Sequence, residues 1–195
     1  MRLPSRILRS TAFRFSIYFA SLFALIALAA GWGIFAWVSD EFRERQASYI
    51  SDMKDTLYLA EGAGLAAIQV GEPLRLFIID PEVAGWKPED PPLVVANPEL
   101  VSISEEKYTN DEGCLSFPGI FAPVQRGKIA RIKAQDLEGN SYELEGEGLL
   151  GRAFQHETDH LDGRLLIDLV GPVKRQIIKR KMRKENQADA DAEEA

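Results

Sequence analysis

The sequence predicts an α+β fold in which mixed and antiparallel strands pack around one central helix, preceded by a single N-terminal transmembrane helix. Three observations predict it. A helix-length segment from Leu149 carries His156-Glu157-Thr158-Asp159-His160. Short apolar and β-branched runs, punctuated by Pro, Gly and Asn, fill the chain between residues 74 and 147. The stretch from Phe15 to Ser39 contains no charged residue.

The chain is 195 residues long, which allows one domain of ordinary size plus an appendage. A net charge of −7 argues against a general nucleic-acid binder. One cysteine excludes an intramolecular disulfide framework and fits a reducing compartment. No internal repeat is visible.

Residues 1–14 hold Arg2, Arg6, Arg9 and Arg14 with no acid. The uncharged run that follows is long enough to cross about 30 Å of hydrocarbon as a helix, so a lipid bilayer is the expected partner of residues 15–39. Trp32 and Trp37 near its far end suit an interfacial aromatic belt. A cleaved leader ending at Ala27-Leu28-Ala29 is the alternative, but the apolar run continues past that site. Residues 1–40 are therefore read as a basic flank and membrane span. Thr11–Val38 loosely resembles the first span of bacterial sensor kinases.

From Asp40 to Ala60 the chain predicts a charged helical connector, with Phe42, Tyr49, Ile50, Met53, Leu57 and Tyr58 on one apolar face. Gly62 and Gly64 allow close backbone approach and positive φ. Leu74–Ile79 reads as a strand ended by Asp80-Pro81, and Leu93–Asn97 as a second. Leu100–Lys107 reads as a third, and Asp111–Pro118 as a non-helical segment presenting Cys114. Residues Lys128–Asp136 and Ser141–Glu147 predict a hairpin turning at Glu138-Gly139-Asn140.

In the helix from Leu149, the residues Leu150, Phe154 and Leu161 form a stripe for the core, and Gly163 is a natural stop. Two histidines four apart share a helix face, so their ring nitrogens can converge on one cation. Glu157 points about 100° away and is free to serve as a general base. Two histidines do not complete a catalytic metal site, which takes three protein ligands. The chain has no other histidine, and Leu166 stands where one protease class has its third. Cys114, between Gly113 and Ser116 with Leu115, reads as the thiolate ligand. After Pro172 a basic helix runs through Lys174, Arg175, Lys179, Arg180, Lys181, Arg183 and Lys184, best read as a solvated face. Residues 186–195 are acidic and Ala-rich and are expected to be a disordered tail.

Three stretches together resemble the signature motifs of the peptide deformylases: Gly62-Ala63-Gly64-Leu65-Ala66-Ala67-Ile68-Gln69, Glu112-Gly113-Cys114-Leu115-Ser116 and Gln155-His156-Glu157-Thr158-Asp159-His160. The resemblance covers roughly Ser51 to the early 180s, within a catalytic domain set at residues 41–185. It implies a metal-dependent hydrolase that removes the formyl group from N-formylmethionyl nascent peptides and releases formate. It implies one divalent ion on Cys114, His156 and His160. Fe²⁺ is the ion the family suggests, and Zn²⁺ suits the ligand types. It also implies oxyanion donors in the Gln69 side chain and the Leu115 backbone N–H, beside Glu157. Gly64, Leu149 and Ala153 are candidates to line a methionine pocket. Asp159, paired with Arg126, is a candidate carboxylate behind the ligands. The basic C-terminal helix becomes a candidate contact with the ribosome.

Two rivals follow from the same residues. A membrane-anchored zinc peptidase predicts a third ligand on a distal Glu or His, and a non-catalytic relic fused to a span predicts a lost motif residue. The arginine-rich leading flank favours an N-terminus inside, which puts the catalytic domain outside. Nascent formylated chains require the cytoplasm instead. The expectation is a membrane location through one N-terminal span with the catalytic domain in the cytoplasm. A fusion or errant gene start is the preferred account of residues 1–40.

Overall fold

A computed structural model describes residues 11–193. The chain divides into two units, residues 1–49 and 50–195. Helix α1, Thr11–Leu59, supplies the described part of the first unit and enters the second at Ile50.

The expected membrane span, and with it the membrane location, is corrected. Among the described residues no helix is long and apolar enough to cross a membrane. The apolar stretch of α1 includes Ser21–Trp37. The side chains of those residues are nearly all exposed, and Trp32 and Phe35 touch each other at 6.2 Å between ring centres. The topology argument loses its premise, and Arg2, Arg6 and Arg9 lie outside the described residues.

In the second unit, the order is β1 (Gly64–Ala66), a 3₁₀ turn (Ala67–Val70), β2 (Leu76–Ile79), β3 (Leu93–Ile103), β4 (Lys107–Cys114), β5 (Phe117–Gly127), β6 (Ile129–Gln135), β7 (Ser141–Glu147), α2 (Gly148–Leu161), a second 3₁₀ turn (Leu166–Asp168) and α3 (Pro172–Glu193). Every strand pair is antiparallel. One sheet has the order β1-β2-β3-β6-β7, and β4 and β5 form a separate two-stranded sheet.

The short strand β2 is apolar throughout because both its faces are covered. Phe77 and Ile79 join Val95, Ala130, Ile132 and Phe154 of α2 in one cluster. Leu76 and Ile78 face the other way, onto Met53 and Leu57 at the end of α1. The connector helix therefore buries part of its expected apolar face, while Tyr58 stays exposed. A third cluster joins Ile120 and Val124 of β5 to Leu166 and to Ile178 of α3.

Two boundaries differ from the sequence reading for a physical reason. The second and third expected strands are one strand, β3, carried past Asn97-Pro98 by register shifts after Ala96 and Leu100. Asn97 takes φ 48°, and the Pro98 carbonyl accepts from Arg75 at 3.1 and 3.3 Å, so the irregularity is held from outside the ladder. Residues 111–118, expected to be non-helical, are the end of β4 and the start of β5, with a bulge at Cys114. The β6–β7 hairpin turns where expected, with Gly139 at φ 85°. Helix α3 continues through residues 186–193.

Helix α2 sits on the sheet through a backbone contact between two glycines. A Cβ on Gly151 would meet the carbonyl of Gly146 in β7 and come within 3.4 Å of the Lys128 carbonyl. Alanine ordinarily gains about 1 kcal/mol over glycine inside a helix. Here the obstacle is backbone, which cannot rotate aside, so overpacking wins. Gly151→Ala is expected to destabilise the domain by about 1–3 kcal/mol, read as a lower urea midpoint at unchanged slope.

Candidate metal centre

Helix α2 delivers His156 and His160 from its last two turns, and the β4–β5 junction delivers Cys114. Cys114 Sγ lies 3.2 Å from His160 Nε2, which lies 3.2 Å from His156 Nε2. One ligand atom from each of the three falls within 4.8 Å of the others. Three lone-pair donors this close repel unless a proton or a cation lies among them. A thiolate and two imidazoles are a donor set for a borderline-soft divalent ion, so the residues fit one.

The rings are held in place from behind. Glu112, in the same β4 segment as Cys114, contacts His156 Nδ1 at 3.1 Å. An ionised carboxylate only accepts, so Nδ1 donates to it and Nε2 is turned toward the other two ligand atoms, where an ion would displace its proton. Arg126 donates to both Glu112 oxygens, at 2.9 and 3.0 Å, and also to Asp159. Arg152 donates to Glu112 from α2 and stacks over the Tyr108 ring at 4.5 Å. Glu112, Arg126, Arg152 and Asp159 are all buried. Gln155 clamps the end of β5 to α2: it accepts from the Gly127 N–H and donates to the Gly127 carbonyl, both at 3.0 Å.

Proton affinities follow from this packing. Burial pushes the Glu112 carboxyl up, but hydrogen bonds from His156 and Arg126 outweigh it and hold the group at about 2. Burial pushes the Cys114 thiol up, and contacts with His156 and His160 bring it down to about 6. Burial pushes His156 down, while Cys114 and Glu112 hold it up at about 10. Burial, helped by the neighbouring charges of Cys114 and Glu112, lifts Glu157 to about 7 against the pull of the two histidines. Its Oε2 is buried without a hydrogen-bond partner.

Most of the sequence-derived site residues line a single cleft of about 600 Å³: Gly64, Gln69, Cys114, Leu115, Leu149, Ala153, His156 and Glu157. Gln69 lies in the first 3₁₀ turn. Its side-chain oxygen accepts from the Ala66 N–H at 2.8 Å, which turns its amide nitrogen toward Ser116 Oγ at 3.0 Å and Cys114 Sγ at 3.8 Å. Leu115 follows Cys114 in the turn between β4 and β5. Gly64 provides close approach and not positive φ: a Cβ there would stand 2.7 Å from Glu157 Oε1. Asp159 and Arg126 are not in the lining but behind it. Glu112, Arg152 and Gln155 were not singled out from the sequence. Glu112 and Gln155 stood inside quoted motifs, and no local signal marked Arg152.

Similarity to known proteins covers this whole region. The family described as Polypeptide deformylase matches residues 36–176. A peptide deformylase of Bartonella tribocorum is 47% identical over 133 residues, covering 68% of this chain and 75% of the relative. One from Zymomonas mobilis is 43% identical over 158 residues, covering 80% and 89%. A crystal structure of a peptide deformylase from Legionella pneumophila superimposes with a TM-score of 0.68 at 44% identity, covering 75% of this chain and 84% of the other.

Two outcomes are expected. Glu112→Gln leaves two buried guanidinium groups short of charge, so it should cost about 3–5 kcal/mol of stability, and weaken ion binding about 10–100-fold through the loosened His156. Thermal melts and competition with a chromogenic chelator measure the two effects. Separately, an ion binding between pH 6 and 10 meets Cys114 already as thiolate but must displace the proton on His156. Affinity should therefore rise about tenfold per pH unit across that window, with about one proton released per ion. Calorimetry in buffers of differing ionisation heat counts that proton; no release would contradict the protonated His156.

Proposed function

The chain belongs to the peptide deformylase family, and we propose that its chemistry is carried by Glu157, Gln69 and Leu115 around an ion held by Cys114, His156 and His160. The reaction is hydrolytic removal of the N-formyl group from the N-terminal formylmethionine of newly made polypeptides, with release of formate. The observation that carries the residue assignment is the convergence of three ligand atoms within 4.8 Å beside the partnerless Oε2 of Glu157.

Bound there, a divalent ion supplies Lewis acidity that makes water nucleophilic near neutral pH and offsets developing negative charge. Glu157 accepts a proton from the water as it attacks the formyl carbon, and returns it to the amine as the C–N bond breaks. A carboxyl lifted to about 7 by burial suits both halves of that exchange. Gln69 and the Leu115 N–H donate to the formyl oxygen as it gains charge. For Gln69 this means giving up Ser116 in favour of the substrate. Ala153, Leu149 and the bare Gly64 leave room for the methionine side chain.

Iron is the ion the family resemblance favours, and zinc suits the same donors; metal analysis of protein purified without oxygen decides between them. Contact with ribosomal RNA through the exposed Lys179, Arg180, Arg183 and Lys184 belongs to the same proposal, opposed at long range by the net charge of −7. The peptidase rival needs a third ligand on a distal Glu or His, and the grouping of Cys114 with both histidines supports the deformylase reading over it.

Metal-loaded protein is expected to release formate from formyl-Met-Ala-Ser, and Glu157→Ala to keep its metal while losing turnover by about three orders of magnitude or more. Near-normal turnover in that variant at full metal content would remove Glu157 from its role.

A further inference from the structure

The ligands of the centre ride on separately built layers. Helix α2, with both histidines, packs on the five-stranded sheet through Ala153 and Phe154. Cys114 stands in β4, which forms a sheet with β5 alone. No ladder joins β4 to α2, so side chains must set their separation. Among the described residues, β4 reaches α2 with hydrogen bonds from Tyr108, Glu112 and Cys114. The contacts advance together along both elements: Tyr108 meets Gly148, Glu112 meets Arg152 and His156, and Cys114 meets His160. Tyr108 and Cys114 are about 20 Å apart along the strand, and Gly148 and His160 about 18 Å apart along the helix, so the two run side by side in one direction. Tyr108 holds the end farthest from the ligands. Its hydroxyl donates to the Gly148 carbonyl at 2.9 Å and accepts from Arg152 Nε at 3.4 Å, and the guanidinium lies over its ring. Glu147 gives the helix no side-chain cap, so on the β4 side this hydroxyl fixes the first turn.

Resting on the ligand set above, we propose that Tyr108 is a positioning residue for the metal centre, its hydroxyl setting the angle of α2 against β4. Glu112 is the middle contact and acts as a pivot. Released from Tyr108, the first turn of α2 can lift from β4, and the same rotation shifts His160 against Cys114 beyond the pivot. The Arg152 guanidinium also loses a partner that aims it at Glu112, which in turn aims His156. An ion needs its donors placed to within a few tenths of an ångström, so a bond lost at Gly148 is felt at the ion. A residue that only stabilised the fold would favour the metal-free and metal-loaded protein equally and would cancel from the affinity.

The test pairs Tyr108→Phe with Tyr142→Phe, because Tyr142 makes the same kind of bond elsewhere, from its hydroxyl to the Val94 carbonyl at 2.9 Å. Both variants should lower the thermal midpoint of the metal-free protein by comparable amounts. Each full-length protein is then loaded with Co²⁺, and release to excess EDTA is followed through the thiolate-to-cobalt absorption band. Tyr108→Phe should release Co²⁺ about 3–10-fold faster than wild type, somewhat less than loss of a partner bonded directly to a ligand, and should shift the visible cobalt bands. Tyr142→Phe should match wild type in rate and spectrum. Circular dichroism confirms folding; should Tyr108→Phe fail to fold, Tyr108→Leu takes its place with the same expected acceleration. Unchanged release and spectrum in the Tyr108 variant, or equal acceleration in Tyr142→Phe, overturns the positioning role. A wild type that binds Co²⁺ without a thiolate band, or not at all, overturns the ligand set instead.

Discussion

The centre depends on one buried carboxylate. Glu112 receives Arg126, Arg152 and His156, and through Arg126 it is joined to Asp159. Glu112 itself stands in β4, and these partners come from β5 and from both halves of α2. Two guanidinium groups could not be buried without it, and His156 would have no reason to present Nε2 forward. Its contribution lies less in net stability, since a buried ion pair roughly offsets its own desolvation, than in allowing one arrangement only. The ligands converge because the elements carrying them are locked to a common charge.

Packing enforces the same convergence by a separate means. Gly146 and Gly151 let α2 approach the sheet at backbone distance, and Gln155 ties the end of β5 to the same helix. Gly64 lets β1 come against the carboxyl of Glu157. In each case a side chain is absent or committed where two backbones must meet. The glycine-rich motif thus holds the Glu157 carboxyl from one side as the helix holds it from the other.

Much of this could be read from the sequence, and what could not has identifiable causes. Cys114, His156 and His160 were legible because thiol and imidazole are rare here and their chemistry is distinctive. The β6–β7 hairpin was legible because its turn residues and alternation are local. Glu112 was not, because a glutamate beside Gly-Cys looks like any solvated acid until the two arginines, 14 and 40 residues away, arrive beside it. The unbroken β3 was hidden by Pro98, whose cost to the ladder is absorbed by a contact from Arg75. The membrane span was inferred from the length of an uncharged run and its flanking tryptophans, but among the described residues no helix is both long and apolar enough to cross a membrane.

The three ligands also have a meaning for the chain as a polymer. Cys114 and His160 are 46 residues apart, and β5, β6, β7 and most of α2 lie between them. An ion gripped from both ends closes that stretch into a ring, as a disulfide would. Loop closure grows only as the logarithm of length, so a ring of this size removes roughly 4 kcal/mol of freedom from an unfolded chain that keeps its grip. A protein with a single cysteine can thus obtain a covalent-strength staple without a second thiol. The same staple opens when an oxidant reaches the sulfur or a chelator takes the ion, so the tether between hairpin and helix is reversible.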